Sequence, residues 1–226
     1  MRRLILFLFA TASTGFREDF SDSMDSWWME GGERAWVENG RLYLKADPPT
    51  SGPAKAMATV WRRGEQPGNF ELQFDAEVLS SSQKVNNINL FFCYRDPSGQ
   101  PLEKTSGSRE SADYSLYHKL DGYILTFLND AEGAGGRDAQ GGTKARIRIR
   151  RDPGFRLLAE TFAYHCRAGQ TYHIGLVKRG GDIRFSVDGT ELLRATDPDP
   201  LDGGYFGLRT FRTFLWWDDI RLRLID

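Results

Sequence analysis

Tyr117 and His118 stand side by side in DYSLYHKLDGYILTFLND, residues 113–130, just ahead of a run that alternates like a strand. Histidine is the side chain best suited to take a proton near neutral pH, and a tyrosine can return one to a leaving oxygen. Downstream, KARIRIRR sets Lys144, Arg146, Arg148 and Arg150 on one face of a strand, with Ala145, Ile147 and Ile149 on the other. Cations so placed repel one another unless anions approach, and a guanidinium can hold a carboxylate through two parallel N–H bonds. A carboxylate clamp, a base and an acid are the parts needed for β-elimination on a uronic acid. His118, Tyr117 and Arg148 are the expected catalytic set, with Tyr114, Tyr123 and Lys119 as neighbouring alternatives. A packed histidine and a solvated cationic face, neutralised by nearby acids, would give the same pattern.

Hydrolysis would require something else, two carboxylates flanking the scissile bond. NFELQFDAEVL supplies the best pair: Glu71, Gln73, Asp75 and Glu77 alternate with Leu72, Phe74, Ala76 and Val78. Asp75 and Glu77 are the alternative catalytic carboxylates, although a solvent-facing strand looks the same. In VNNINLFFCYR, Asn87 and Asn89 share a face with Phe91 and Cys93. Paired amides offer both donors and acceptors to sugar hydroxyls. Arg146, Arg150 and Tyr123 extend the expected substrate contacts. The tryptophans come as Trp27-Trp28, Trp36, Trp61 and Trp216-Trp217, and in a consecutive strand pair one ring points inward and the other outward.

These residues sit on elements that are almost all strands. Alternating segments bounded by Gly, Pro, Asn and Asp recur along the chain, and helical periodicity is nearly absent. Glu38-Asn39-Gly40, Arg179-Gly180-Gly181-Asp182 and Asp188-Gly189 are tight-hairpin signals. The pattern predicts an all-β, antiparallel two-sheet β-sandwich spanning 16–226 as one domain, without linker or repeat. SGQPLEKTSGSRES and AEGAGGRDAQGG are long enough to be functional rim loops. The second is glycine-rich but joins strand to strand, so it lacks the helix N-terminus of a phosphate cradle.

The segments GLVKRGGDIRFSVDGTELLRATD, GGYFGLRTF and WWDDIRLRLI resemble the closing strands of the concanavalin A-like lectin/glucanase superfamily. WWMEGGERAWVENGRLYL, NNINLFFCYRDPSG, the Tyr117-His118 pair, IRRDPGFRLL and YFGLRTF are similar to a bacterial jelly-roll family associated with pectin and rhamnogalacturonan use. The resemblance implies a concanavalin A-like jelly roll with a concave carbohydrate groove, and it settles no reaction. It also implies that Trp28 and Glu30 lie near that groove and that Arg209 contacts substrate. Three readings stay open: a lyase on an acidic glycan, which is preferred, a glycoside hydrolase of the same fold, and a non-catalytic carbohydrate-binding module.

Thirty basic residues against thirty-one acidic ones give a net charge of -1, without the basic excess of a nucleic-acid binder. The opening MRRLILFLFATASTG, residues 1–15, has the layout of a secretory signal, which predicts a secreted or periplasmic protein. A buried first strand would share that pattern. No later run is long enough to span a bilayer as a helix. Cys93 and Cys166 could pair if the chain is exported, but each lies in an apolar strand-like context, and two unpaired buried thiols are expected. No cofactor is expected. FREDFSDSMD and Trp217-Asp218-Asp219 bring carboxylates near both termini, where a structural calcium is conceivable.

Overall fold

The computed structural model describes residues 15–21, 23–47, 55–82, 85–130 and 144–226. The expected signal segment up to residue 14 and the glycine-rich AEGAGGRDAQGG lie outside them, as does the side chain of Lys144. In chain order the strands are β1 (Phe16–Glu18), β2 (Trp27–Gly31), β3 (Arg34–Glu38), β4 (Arg41–Lys45), β5 (Met57–Arg62), β6 (Gln66–Pro67), β7 (Phe70–Ser81) and β8 (Ile88–Arg95). After a one-turn helix, α1 (Tyr114–Tyr117), come β9 (Asp121–Asp130), β10 (Lys144–Asp152), β11 (Arg156–Thr161), β12 (Thr171–Arg179), β13 (Asp182–Val187), β14 (Thr190–Thr196), β15 (Gly203–Phe211) and β16 (Thr213–Leu224).

The strands form two antiparallel sheets of eight. The first runs β14-β13-β12-β7-β16-β4-β3 with β1 beside β16; the second runs β11-β10-β9-β8-β15-β5-β2 with β6 beside β15. The turns follow from their residues: Asn39-Gly40 and Asp188-Gly189 all take positive φ, as tight hairpins demand. Between the sheets lies one core, to which β7 contributes Phe70, Leu72, Phe74, Ala76 and Val78 while Glu71, Gln73, Asp75 and Glu77 turn outward. Period-two alternation thus fixes the register of this strand, because a one-residue slip would bury four polar side chains.

Strands β8 and β15 break that alternation. From Ile88 to Tyr94 and from Gly203 to Thr210 every residue is buried. Both of their faces are covered. The inner face meets the first sheet, and the outer face lies beneath residues of the 102–120 segment, which pack into a second small core. There Leu102, Ala112, Tyr117 and Leu120 sit on Trp61, Phe91, Tyr94 and Ile124. The segment expected as a rim loop is therefore a cover. Gly207 is part of the reason it fits: a β-carbon there would come within 2.6 Å of the Trp61 indole, so only glycine lets the ring lie flat over β15.

Both cysteines are buried and unpaired, and burial raises the Cys93 thiol to about 12. The two ends of the sandwich do meet, through β1 and β16. Asp219, however, pairs with Arg221 at 2.8 Å and with Arg17 at 3.7 Å, and Glu18 accepts from the Trp27 indole. Among the described residues no group of three or more His, Cys, Asp or Glu could hold a metal ion.

Candidate functional site

Cross-strand pairing on the second sheet lines up one polar rank across seven strands. Glu30 lies opposite Thr59, Thr59 opposite Arg209, Arg209 opposite Asn89, Asn89 opposite Thr126, Thr126 opposite Arg148, and Arg148 opposite Glu160. Residues directly opposite share a face, so the whole rank points outward, away from the main core. Two residues along each strand lies an apolar rank that ends in a cation: Trp28, Trp61, Gly207, Phe91, Ile124 and Arg150.

The two ends of the polar rank are used differently. At the β2 end Glu30 is buried and fully engaged. Its carboxylate accepts from Arg109 at 2.9 Å, from the Trp61 indole at 2.9 Å and from the Tyr117 hydroxyl at 2.7 Å. Arg109 also donates to the Leu102 carbonyl at 2.6 Å, which ties the cover into the network. Arg209 donates to Thr59 and to the Ala112 carbonyl, and its guanidinium lies 4.9 Å from the rings of both Tyr114 and Tyr117.

Toward β10 several polar atoms lack partners. Asn87 Oδ1, Thr126 Oγ1, the Tyr114 hydroxyl oxygen, His118 Nε2 and the Nε atoms of Arg148 and Arg150 are shut off from solvent without a hydrogen-bond partner. Buried polar atoms are ordinarily satisfied, and several left unsatisfied in one neighbourhood require a reason. The groups are close to one another: the Tyr114 and His118 rings are 4.9 Å apart, and Tyr114 feels the charges of Arg209 and Arg148. His118 stacks on Phe155 at 4.0 Å, and the Arg150 guanidinium lies 4.0 Å from the same ring.

Local structure explains how these side chains are held. Asp113 caps α1 by accepting from the Ser115 amide, and His118 follows the last helical residue. The turn after β10 then comes up beneath the imidazole. Asp152 accepts from the Phe155 amide at 2.9 Å and from the Tyr94 hydroxyl at 2.8 Å. The Gly154 amide donates to the His118 carbonyl, and Arg150 donates to the Phe155 carbonyl. Asp152 thereby links the covered core to the base of the imidazole.

Electrostatics separates the two titratable rings. Burial, and then the cations Arg209 and Arg150, lower the His118 pKa, which leaves the imidazole neutral at neutral pH. Burial raises the Tyr114 phenol, with Arg209 and Arg148 working against the rise. Burial also pushes the Asp152 carboxyl up to about 6, with its hydrogen bonds from Tyr94 and Phe155 opposing the rise. A neutral imidazole beside a protonated phenol and two arginines can accept one proton, donate another and hold an anion.

Several expected site residues lie elsewhere. Tyr117 is fully buried with its hydroxyl given to Glu30, so it faces the cover's interior, and Tyr114 is the tyrosine beside His118. Glu30 and Arg209 are spent on the cover rather than presented to a groove. Tyr123 points into the main core and donates to Asp197 at 2.7 Å. Trp28 is on the outer face but stacks on Trp61 at the margin of the cover. Asp75 and Glu77 project from the first sheet, not the second; Asp75 pairs with His173 at 2.8 Å, and Glu77 accepts from Thr171. Lys119 is exposed. The rank does bring Asn89 and Arg148 together, with Asn87 and Arg146 on the same face, where Arg146 pairs with Glu160 at 3.3 Å. Sequence reasoning passed over Thr126, Phe155 and Asp152. Thr126 had a signal: it is the one polar residue in YILTFL.

Two eight-stranded antiparallel sheets around one core make this a jelly-roll sandwich of the concanavalin A-like type. The chain belongs to the family described as Domain of unknown function (DUF6250), whose model matches residues 53–219. No curated protein matches it in sequence. Among solved structures it is similar to a Bacillus subtilis protein of unknown function with a galectin-like fold, at 20% identity and a TM-score of 0.74, over 94% of this chain and 96% of that one. It is also similar to a prokaryotic β-1,3-1,4-glucanase (lichenase) from a mouse hindgut metagenome, at 15% identity and 0.60, over 94% and 100%. The carbohydrate-binding module CBM66 from Bacillus subtilis matches at 11% identity and 0.59, over 88% and 95%. At these identities the likeness is one of fold.

Proposed function

We propose that this protein is an exported enzyme that binds an acidic saccharide on the outer face of its second sheet and cleaves it by β-elimination. The observation that carries the reading is the group of unpartnered buried polar atoms around His118, Tyr114, Arg148 and Arg150. Arg148 and Arg150 hold the uronate carboxylate, which stabilises the charge that develops on the carbon next to it. Neutral His118 removes the proton from that carbon. The electrons form a carbon–carbon double bond to the neighbouring carbon, whose bond to the glycosidic oxygen breaks. Tyr114 protonates that oxygen as it leaves, and the imidazolium of His118 then returns its proton to the neighbouring phenolate, which restores both groups. The galectin-like, glucanase and binding-module folds among similar structures, and the resemblance to a family tied to pectin and rhamnogalacturonan, support a saccharide ligand without choosing the reaction.

The test is incubation with polygalacturonate, alginate and glucuronan while following the ultraviolet absorbance of unsaturated uronides. Absorbance should rise with one of them, and His118→Ala and Tyr114→Phe should each lower the rate about 100-fold or more. No rise with any polymer, together with calorimetric binding that His118→Ala only weakens, would replace the enzyme with a binding module of the same site.

A further inference from the structure

The outer face of the second sheet is closed along two margins. The apolar rank through Trp61 and Phe91 is roofed as far as Ile124 by the second core. The polar rank is filled from β2 to β15, where the Ala112 carbonyl and the Tyr114 ring sit against the Arg209 guanidinium. The unpartnered atoms at Thr126 and Arg148 therefore occupy a corner, with the cover on one side and the Tyr114–His118–Phe155 group on the next. The cover is not a loose flap: the buried Glu30–Arg109 ion pair anchors it from below, and the Gly31 amide donates to the Glu110 carbonyl at 2.9 Å.

Because β11 is the edge strand of this sheet, a sugar chain lying along the polar rank runs off the sheet in that direction, but it meets packed protein in the direction of β15. Building on the acidic-saccharide reading, we infer that the site takes the end of a uronate chain, with its terminal residue against Tyr114 and Arg148, and does not accept the middle of a polymer. A residue with neighbours on both sides would have to displace the cover, whose removal would strand the Glu30 carboxylate or the Arg109 guanidinium in a buried place.

Binding stoichiometry separates the two cases. The full-length protein is titrated calorimetrically into uronate oligomers of defined length and into their parent polymer, with polygalacturonate, alginate and glucuronan as probes. Viscosity and ultraviolet absorbance are followed in parallel. For chain-end binding, the number of protein molecules bound per chain stays constant as the chain lengthens. Any elimination then releases the shortest unsaturated products first, while viscosity stays near its starting value. Protein bound in proportion to chain length, or an early collapse of viscosity with mid-length products, would overturn the chain-end inference and leave the acidic-saccharide reading intact. Neither binding nor elimination with any of the three would remove the reading on which it rests.

Discussion

Tyr114 and Tyr117 lie one helical turn apart on α1, yet they belong to opposite regimes. Around Tyr117 every polar group is spent: its hydroxyl, the Trp61 indole and the Arg109 guanidinium all converge on one buried carboxylate. Around Tyr114 the hydroxyl, an imidazole nitrogen and two guanidinium nitrogens stay unpartnered although burial has already removed them from water. Both regions pay desolvation; only the first recovers it within the protein. On the proposed reading, a fold that satisfies one end of a polar rank and leaves unpartnered atoms toward the other has kept those atoms for a ligand. The comparison also separates stability from activity: changes at the Glu30 end should unfold the cover, and changes at the His118 end should spare it.

The largest expected effect tests that division directly. Glu30→Ala leaves Arg109 buried without its carboxylate partner and should destabilise the protein by about 3–5 kcal/mol in equilibrium denaturation. His118→Ala should change stability by no more than about 1 kcal/mol, because its Nε2 has no bond to lose and only the ring contacts with Phe155 and Tyr114 are given up. Equal losses from both substitutions would erase the distinction between the two regions.

The next effect lies at Asp152, which joins them. Its folded pKa stands above the unfolded value, so the folded state binds the extra proton, and the carboxyl's favourable contribution is complete at low pH. That contribution fades as pH climbs from 3.8 through about 6, where the buried group must ionise. Asp152→Asn can still accept from the Phe155 amide and donate to the Tyr94 hydroxyl, and it has no charge to bury. The stability of the variant relative to the native protein should therefore rise across that window, by on the order of 2–3 kcal/mol, and then level off. A difference that stays flat with pH would mean that the carboxyl does not titrate there. The turn would then link the covered core to His118 by geometry alone.

The architecture was legible in the chain because period-two alternation and Asn-Gly and Asp-Gly turns are local signals. Strands β7, β10 and β12 read directly, and Ile147 and Ile149 face the core as the alternation requires. The cover was not legible. SGQPLEKTSGSRES is polar enough to pass for a loop, and nothing local reveals that Arg109 is destined for a carboxylate 79 residues away. For the same reason Tyr117 looked more available than Tyr114. The choice between them depends on which side of a one-turn helix meets Glu30, a tertiary fact. Continuous burial in NINLFFCY was the available clue: a strand apolar on both faces must be covered on both.

The smallest effect concerns the sheet on the far side. Asp75 and Glu77 alternate with core residues as a hydrolase pair would, but they project from the first sheet, and Asp75 is committed to a half-exposed His173. Exposed pairs of this kind contribute little, since solvent screens the attraction and two mobile side chains lose entropy. Asp75→Asn and Glu77→Gln should each shift stability by less than about 0.5 kcal/mol and leave saccharide turnover or binding at its native level. A tenfold or greater loss of turnover in either variant, with folding intact, would transfer the site to the first sheet. The unpartnered atoms around His118 would then need an explanation other than a saccharide ligand.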